Sequence, residues 1–265
     1  MNVVYKDGSK FSISILNNSE AAKNLAVSFI INGLEYNATT DSNGIASLAI
    51  NDITNGLSPG TYEIISKIKG SNITSSNTIT VNKWNFEKLA ISAPDLSKFY
   101  SDNGKFKVTV KYDGRLLVNE KVTIKVGTST FTKYTDKNGQ VQMAFNKIPK
   151  KYSFITSVND GGVSKSVKST VTIKKMPVHF TSISKSVKKG KKISVKVLNK
   201  HNKIVKNVKV KIKVNKKTYY AKTNSKGIAK LKISIKAKKV KAAFSLKSNS
   251  YYVAQKTVKK TIKIK

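Results

Sequence analysis

An all-β fold, three antiparallel β-sandwiches in tandem, follows from three observations on the sequence. Val, Ile, Thr and Tyr recur in short alternating runs, and no long segment keeps a helical period. Turn signals separate those runs at a spacing of roughly 8–12 residues, the spacing of sandwich strands. One motif returns three times: TTDSNGIASLAI at 39–50, YTDKNGQVQMAF at 134–145 and KTNSKGIAKLKI at 222–233. Its glycines, Gly44, Gly139 and Gly227, lie 95 and 88 residues apart, which divides the 265 residues into three units.

The motif aligns Thr40, Thr135 and Thr223, then Asp41, Asp136 and Asn224. Asp-Ser-Asn-Gly resembles the start of a calcium loop. The third copy argues against that, because it replaces the acid by Asn224 and places Lys226 where a cation would sit. A hard divalent ion needs several oxygen ligands, usually carboxylates. What the copies share is a glycine able to adopt φ > 0, followed by a strand of period 2.

The other elements repeat with it. Each copy opens on a glycine turn and an alternating strand: KDGSKFSISIL (6–16), SDNGKFKVTVKY (101–112) and VKKGKKISVKVL (187–198). A second strand follows in NLAVSFIING (24–33), NEKVTIKVGT (119–128) and NVKVKIKVNK (207–216). Asn32-Gly33 predicts a two-residue hairpin turn in the first copy. A return strand runs into the shared turn, then come a strand, a loop holding Pro59 or Pro149, and a strand beginning near Tyr62, Tyr152 or Phe244. NTITVNK (77–83), STVTIKK (169–175) and TVKKTIKIK (257–265) close the copies. WNFEKLAISAPDLSKFY (84–100) and PVHFTSISKSV (177–187) supply opening strands, with Pro94 marking a switch between sheets; the first copy lacks this lead-in. Ser19 to Lys23 predicts one helical turn in a loop. Six or seven short strands per copy favour immunoglobulin-like β-sandwich domains over a closed barrel. The expected domains are 1–83, without its first strand, then 84–175 and 176–265.

YKDGSKFSISIL, INGLEYNATTDSNGIASLAI, LSPGTYEI, NTITV and APDLSKFYSDNGKFKVTV resemble the Ig-like repeats of adhesin-like surface proteins from methanogenic archaea. More distantly they are similar to bacterial repeats of intimin and invasin type. The resemblance covers the whole chain and is thinnest in the third copy, where KAKKVKAAF (236–244) replaces the Pro-Gly-Thr-Tyr segment. It implies a stalk at the cell surface, no catalysis, and no functional residue that carries over.

Charge is distributed unevenly. Residues 1–84 hold six Lys and six acids, residues 85–176 hold seventeen Lys or Arg and seven acids, and residues 177–265 hold twenty-eight Lys and no acid. Unpaired like charges repel in the compact state. In the third copy Lys209, Lys211 and Lys213 alternate with valine and isoleucine, as do Lys230, Lys232 and Lys236, with Lys196, Lys263 and Lys265 on neighbouring segments. If those strands pair, the ammonium groups form rows suited to a flexible polyanion and bind by counterion release. An anionic cell-wall polysaccharide is the expected partner, or a ligand on a host or neighbouring cell. The alternatives are a structural spacer and a non-specific nucleic-acid binder. Nucleic acid ranks last, since no helix-turn-helix, RRM, KH or zinc signature accompanies the charge. Tyr219-Tyr220 and Tyr251-Tyr252 read as core and edge tyrosines.

Cys is absent, so no disulfide, thiolate site or cysteine nucleophile exists. The two histidines, His179 and His201, stand apart from any nucleophile pattern, and His201 reads as part of a hairpin turn. No enzyme, cofactor or metal is expected. No apolar run approaches the length of a membrane span, and a secretory signal pattern is missing. The expected location is extracellular, with signal and anchor outside this segment. Sequons at Asn17, Asn37 and Asn72 fall in the first copy and are glycosylation candidates. Lys–Asn or Lys–Asp crosslinks through Lys10 or Lys105 are a further candidate, needing a buried carboxyl nearby.

Overall fold

The computed structural model of the chain describes residues 1–265 except 5, 7, 51–52, 54–56, 189, 216, 233–236, 248 and 255. These fall into two compact units. One holds residues 1–94, 107–142 and 153–169, and the other 95–106, 143–152 and 170–265. The fold is all-β, built of immunoglobulin-like sandwiches, with a 3-10 turn at Phe86–Lys88.

The same sheet is built three times. In the first copy the order is Asn2–Val4, Thr74–Asn82, Gly60–Ile68, Ala26–Ile31, Leu34–Thr39. In the second it is Leu96–Phe99, Val163–Lys174, Lys151–Asp160, Lys121–Val126, Ser129–Tyr134. In the third it is Ser186–Val187, Val258–Ile264, Lys239–Leu246, Lys209–Val214, Lys217–Lys222. Each time the short lead strand pairs parallel with the last strand. The other sheet holds the opening strand and the motif strand: Lys10–Ser14 with Ile45–Ala49, Lys105–Tyr112 with Gln140–Ala144, and Lys192–Asn199 with Ile228–Lys232.

Alternation places the core. Phe29, Phe106, Phe154 and Phe244 are fully buried, and Phe11 meets Phe29 edge-on at 5.7 Å. In the third copy Ile193, Val195 and Val197 of one sheet and Val210, Ile212, Phe244 and Ile262 of the other form one cluster.

Within the first unit, Asn32 and Gly33 take φ of 51° and 76° and join Ile31 to Leu34, the two-residue hairpin the sequence predicts. The chain switches sheets at Pro94, since Leu89–Ser92 pairs with Lys105–Tyr112 while Leu96–Phe99 joins the five-stranded sheet. Three expectations are corrected. Ser19 to Lys23 is not helical: Asn18 and Ser19, at φ 47° and 69°, close a tight hairpin between Leu16–Asn17 and Glu20–Ala21. The first copy does have a lead strand, Asn2–Val4; its counterpart to Leu89–Ser92 is what the described residues lack. Phe244 does not align with Tyr62 and Tyr152. It faces Ile212 as Ser66 faces Phe29 and Thr156 faces Ile124, so register puts Val240 at the tyrosine position.

Candidate polyanion-binding face

The shared turn is a backbone device. Asp41 Oδ1 accepts hydrogen bonds from Asn43 N and Ile45 N at 2.8 and 3.0 Å. Asp136 Oδ1 does the same for Asn138 N and Gln140 N, at 2.9 and 3.0 Å. Asn224 Oδ1 serves Lys226 N and Ile228 N, both at 3.0 Å. One side-chain oxygen suffices, which is why Asn replaces Asp without loss of the turn. Gly44 sits at φ 70°, and a Cβ there would lie 2.5 Å from Ile15 O. The preceding threonine is a buried latch that the sequence pattern marks only as a repeated residue. Thr40 Oγ1 donates to Ala22 O and accepts from Leu25 N, and Thr135 Oγ1 donates to Leu117 O and accepts from Glu120 N.

The lysines of the third copy are divided by the strand pairing. Lys209–Val214 pairs with Lys217–Lys222 and Lys239–Leu246, and Val258–Ile264 lies beyond. Lys209, Lys211, Lys213 and Lys263 are therefore in one sheet, exposed, opposite the buried Val210, Ile212, Val214 and Ile262. Lys230 and Lys232 belong to Ile228–Lys232, which pairs with Lys192–Asn199 in the other sheet, together with Lys196. The expected single carpet is thus two. The reason is the sandwich itself: strands sharing the lysine pattern lie on opposite sides of one core. Lys196 is half-buried, Lys265 is exposed beyond the last strand, and Lys236 lies outside the described residues.

The five-stranded sheet gains lysines that alternation within single strands does not reveal. Lys222 stands opposite Lys209, and Lys239 opposite Lys263. Ala243 lies between Lys213 on one side and Lys259 on the other. Neighbouring strands are about 4.8 Å apart, so these two lysines flank a floor of one methyl group at roughly 9–10 Å separation. A depression of about 390 Å³ opens here, lined by Lys213, Lys241, Lys259, Lys260, Ala242 and Ala243 among others. The signal was present in KAKKVKAAF: paired small residues where the other copies carry larger ones leave a trough between lysines.

Tyr219 and Tyr220 have different environments. Tyr219 packs against the core, whereas Tyr220 is exposed on the sheet with Lys209 and Lys247 ammonium groups 5.4 and 5.6 Å from its ring centre. Tyr251 and Tyr252 are spent on Tyr100, at ring separations of 4.8 and 5.9 Å. His201 lies in a turn, as expected, with Nε2 2.8 Å from Asp102 Oδ1, and Lys200 covers the Phe99 ring at 3.7 Å. Asn17, Asn37 and Asn72 are all exposed. Among the described residues no helix is long and apolar enough to cross a membrane.

No known family profile and no curated protein matches the chain. Solved structures similar to it include a calcium-stabilised adhesin with which an Antarctic bacterium reaches out and binds ice, at 14% identity, 100% coverage of this chain and 72% of that one, and TM-score 0.26. The titin I9–I11 tandem is 12% identical, covering 99% and 95%, with TM-score 0.33. Sidekick-1 immunoglobulin domains 1–5 are 10% identical, covering 100% and 56%, with TM-score 0.34. At this level of similarity no residue role passes from them to this chain.

Proposed function

We propose that the chain is a non-enzymatic segment of an adhesin-like surface protein, three sandwich modules at 1–83, 84–175 and 176–265, whose third module contacts an anionic cell-wall polymer. The observation that carries this reading is the outer face of Lys209–Val214, Lys239–Leu246 and Val258–Ile264, where lysines flank a trough and no acid exists anywhere in residues 177–265. Binding comes from counterion release as the polymer lies along the rows, and it weakens steeply with salt. The exposed Tyr220 among lysines favours an acidic polysaccharide, whose sugar rings stack on an aromatic face while their carboxylates meet ammonium groups. The neutral first module, with Asn17, Asn37 and Asn72 at its surface, is the outward, glycan-bearing end.

The test is retention of the full chain on immobilised polygalacturonate across a salt series. Replacing Lys211, Lys213, Lys241 and Lys259 by serine should lower the slope of log affinity against log salt by roughly 0.7–0.9 for each ammonium–carboxylate pair that no longer forms. Replacing Lys192, Lys230 and Lys232 on the other sheet should leave retention nearly unchanged. Equal weakening from both sets overturns the assignment to this face, and no retention of the unsubstituted chain overturns the polyanion reading in favour of a spacer.

A further inference from the structure

Three titratable side chains of the first compact unit meet without serving either the shared turn or the lysine face. Lys6 Nζ lies 2.6 Å from Asp160 Oδ2 and 3.2 Å from Glu120 Oε2. Glu120 is fully buried, and among the described residues its Oε1 has no hydrogen-bond partner. Its backbone N–H meets the Thr135 latch just as Leu25 meets Thr40 and Val208 meets Thr223. The second copy therefore carries an acid at a position where the other two carry an apolar residue.

An ion pair between Lys6 and Asp160 needs no second carboxyl. Burying one is unfavourable, because a carboxyl removed from water must be paired or neutral. We propose that Lys6 and Asp160 become joined by an intramolecular amide crosslink, with Glu120 as the group that moves the proton. The arrangement meets the requirements of the reaction. The Lys6 nitrogen is held against the carboxyl it attacks, so the step is unimolecular and gains the advantage of fixed proximity. Glu120 touches that nitrogen and can take its proton, then return it to the departing oxygen. Burial raises the Glu120 pKa, the Lys6 ammonium pulls it back and the Asp160 charge raises it again, with a net upward result. A raised pKa makes the Glu120 carboxylate the better proton acceptor, and passing the ammonium proton through it to Asp160 yields the neutral amine and neutral acid that amide formation uses.

The balance is complete without any co-reactant. A bond forms between Lys6 Nζ and Asp160 Cγ, the Cγ–O bond breaks, the ammonium protons not kept by the amide leave with that oxygen as one water, and Glu120 is returned to its starting state. The charges of the ammonium and carboxylate cancel in the neutral amide. Such a link ties the loop that opens the first copy to the last residue of Lys151–Asp160 in the second, in a chain with no cysteine for a disulfide. The candidates named from sequence, Lys10 and Lys105, are both exposed, so the buried-carboxyl requirement points to Lys6 instead.

Intact-mass spectrometry of the folded full-length chain, followed by peptide mapping, tests the proposal. The expected mass is one water below that of the sequence, with residues 6 and 160 in one branched peptide. Lys6→Arg keeps the positive charge but lacks the amine, and Glu120→Gln keeps the shape but lacks the acid; both should return the full sequence mass. Asp160→Asn should release ammonia in place of water. An unsubstituted chain at its full sequence mass, a deficit that persists in Lys6→Arg, or a branch mapped to other residues overturns the crosslink. A crosslink retained in Glu120→Gln overturns the role given to Glu120. None of these readouts depends on polyanion binding.

Discussion

Thr135→Val isolates the buried latch. Valine has the shape of threonine, so the substitution opens no cavity, and the change is confined to one hydroxyl. That hydroxyl donates to Leu117 O at 2.6 Å and accepts from Glu120 N at 2.8 Å, at a residue 4% exposed. Its removal leaves one buried acceptor and one buried donor unpaired, each costing about 1–3 kcal/mol. The expected loss is therefore about 2–6 kcal/mol. Thr135→Ser keeps both bonds and removes one methyl, for about 1 kcal/mol. Polarity thus predicts that valine is the worse substitution, whereas hydrophobic burial alone predicts the reverse. Urea unfolding followed by the single tryptophan reads this locally, because Trp84 is buried and stacked on Tyr112 at 5.1 Å in the same unit. A valine variant as stable as the serine one would refute the latch.

Three further outcomes follow from the turn and its neighbours. Asp136→Asn should change stability by less than about 0.5 kcal/mol while Asp136→Ala loses about 1 kcal/mol, since one oxygen accepts from two exposed N–H groups; a stability drop on adding a calcium chelator would contradict that reading. Gly139→Ala should cost about 1–3 kcal/mol by thermal melting, because φ is 61° and the new Cβ would lie 3.0 Å from Leu116 Cβ. Tyr62→Phe should lose about 1 kcal/mol or less in urea, as its hydroxyl donates to Ser58 O at an exposed site.

The fold was legible because strand period and turn chemistry are local. Asn32-Gly33 specifies its hairpin through positive φ, and alternation in KVKIKV separates Ile212 from Lys211 without any knowledge of partners. Pairing is not local. Lys232 and Lys213 share a pattern, but only the topology reveals that one strand joins Lys192–Asn199 and the other Lys239–Leu246. The Phe244 alignment failed for the same reason: register is set by the facing strand, and Val240 rather than an aromatic residue fills the tyrosine position. Glu120 was invisible as a site because its two partners lie 114 and 40 residues away in sequence, and nothing in NEKVTIKV shows that the acid faces inward.

The third copy also shows which force decides an acid-free sheet. Lys209 stands directly opposite Lys222, and Lys239 opposite Lys263, at Cβ separations of about 5 Å. That is shorter than the screening length of roughly 8 Å at physiological salt, so each pair works against the fold by about 0.2–1 kcal/mol. On the reverse side of the same strands Val210, Ile212, Phe244 and Ile262 are completely buried, and each contributes about 1.5–3 kcal/mol. Burial exceeds repulsion severalfold, so the sandwich tolerates the lysines and does not depend on them. Under the proposed contact their uniform sign acts outward, as a field that a bound polyanion would relieve, and the stabilisation it would bring is the repulsion it removes.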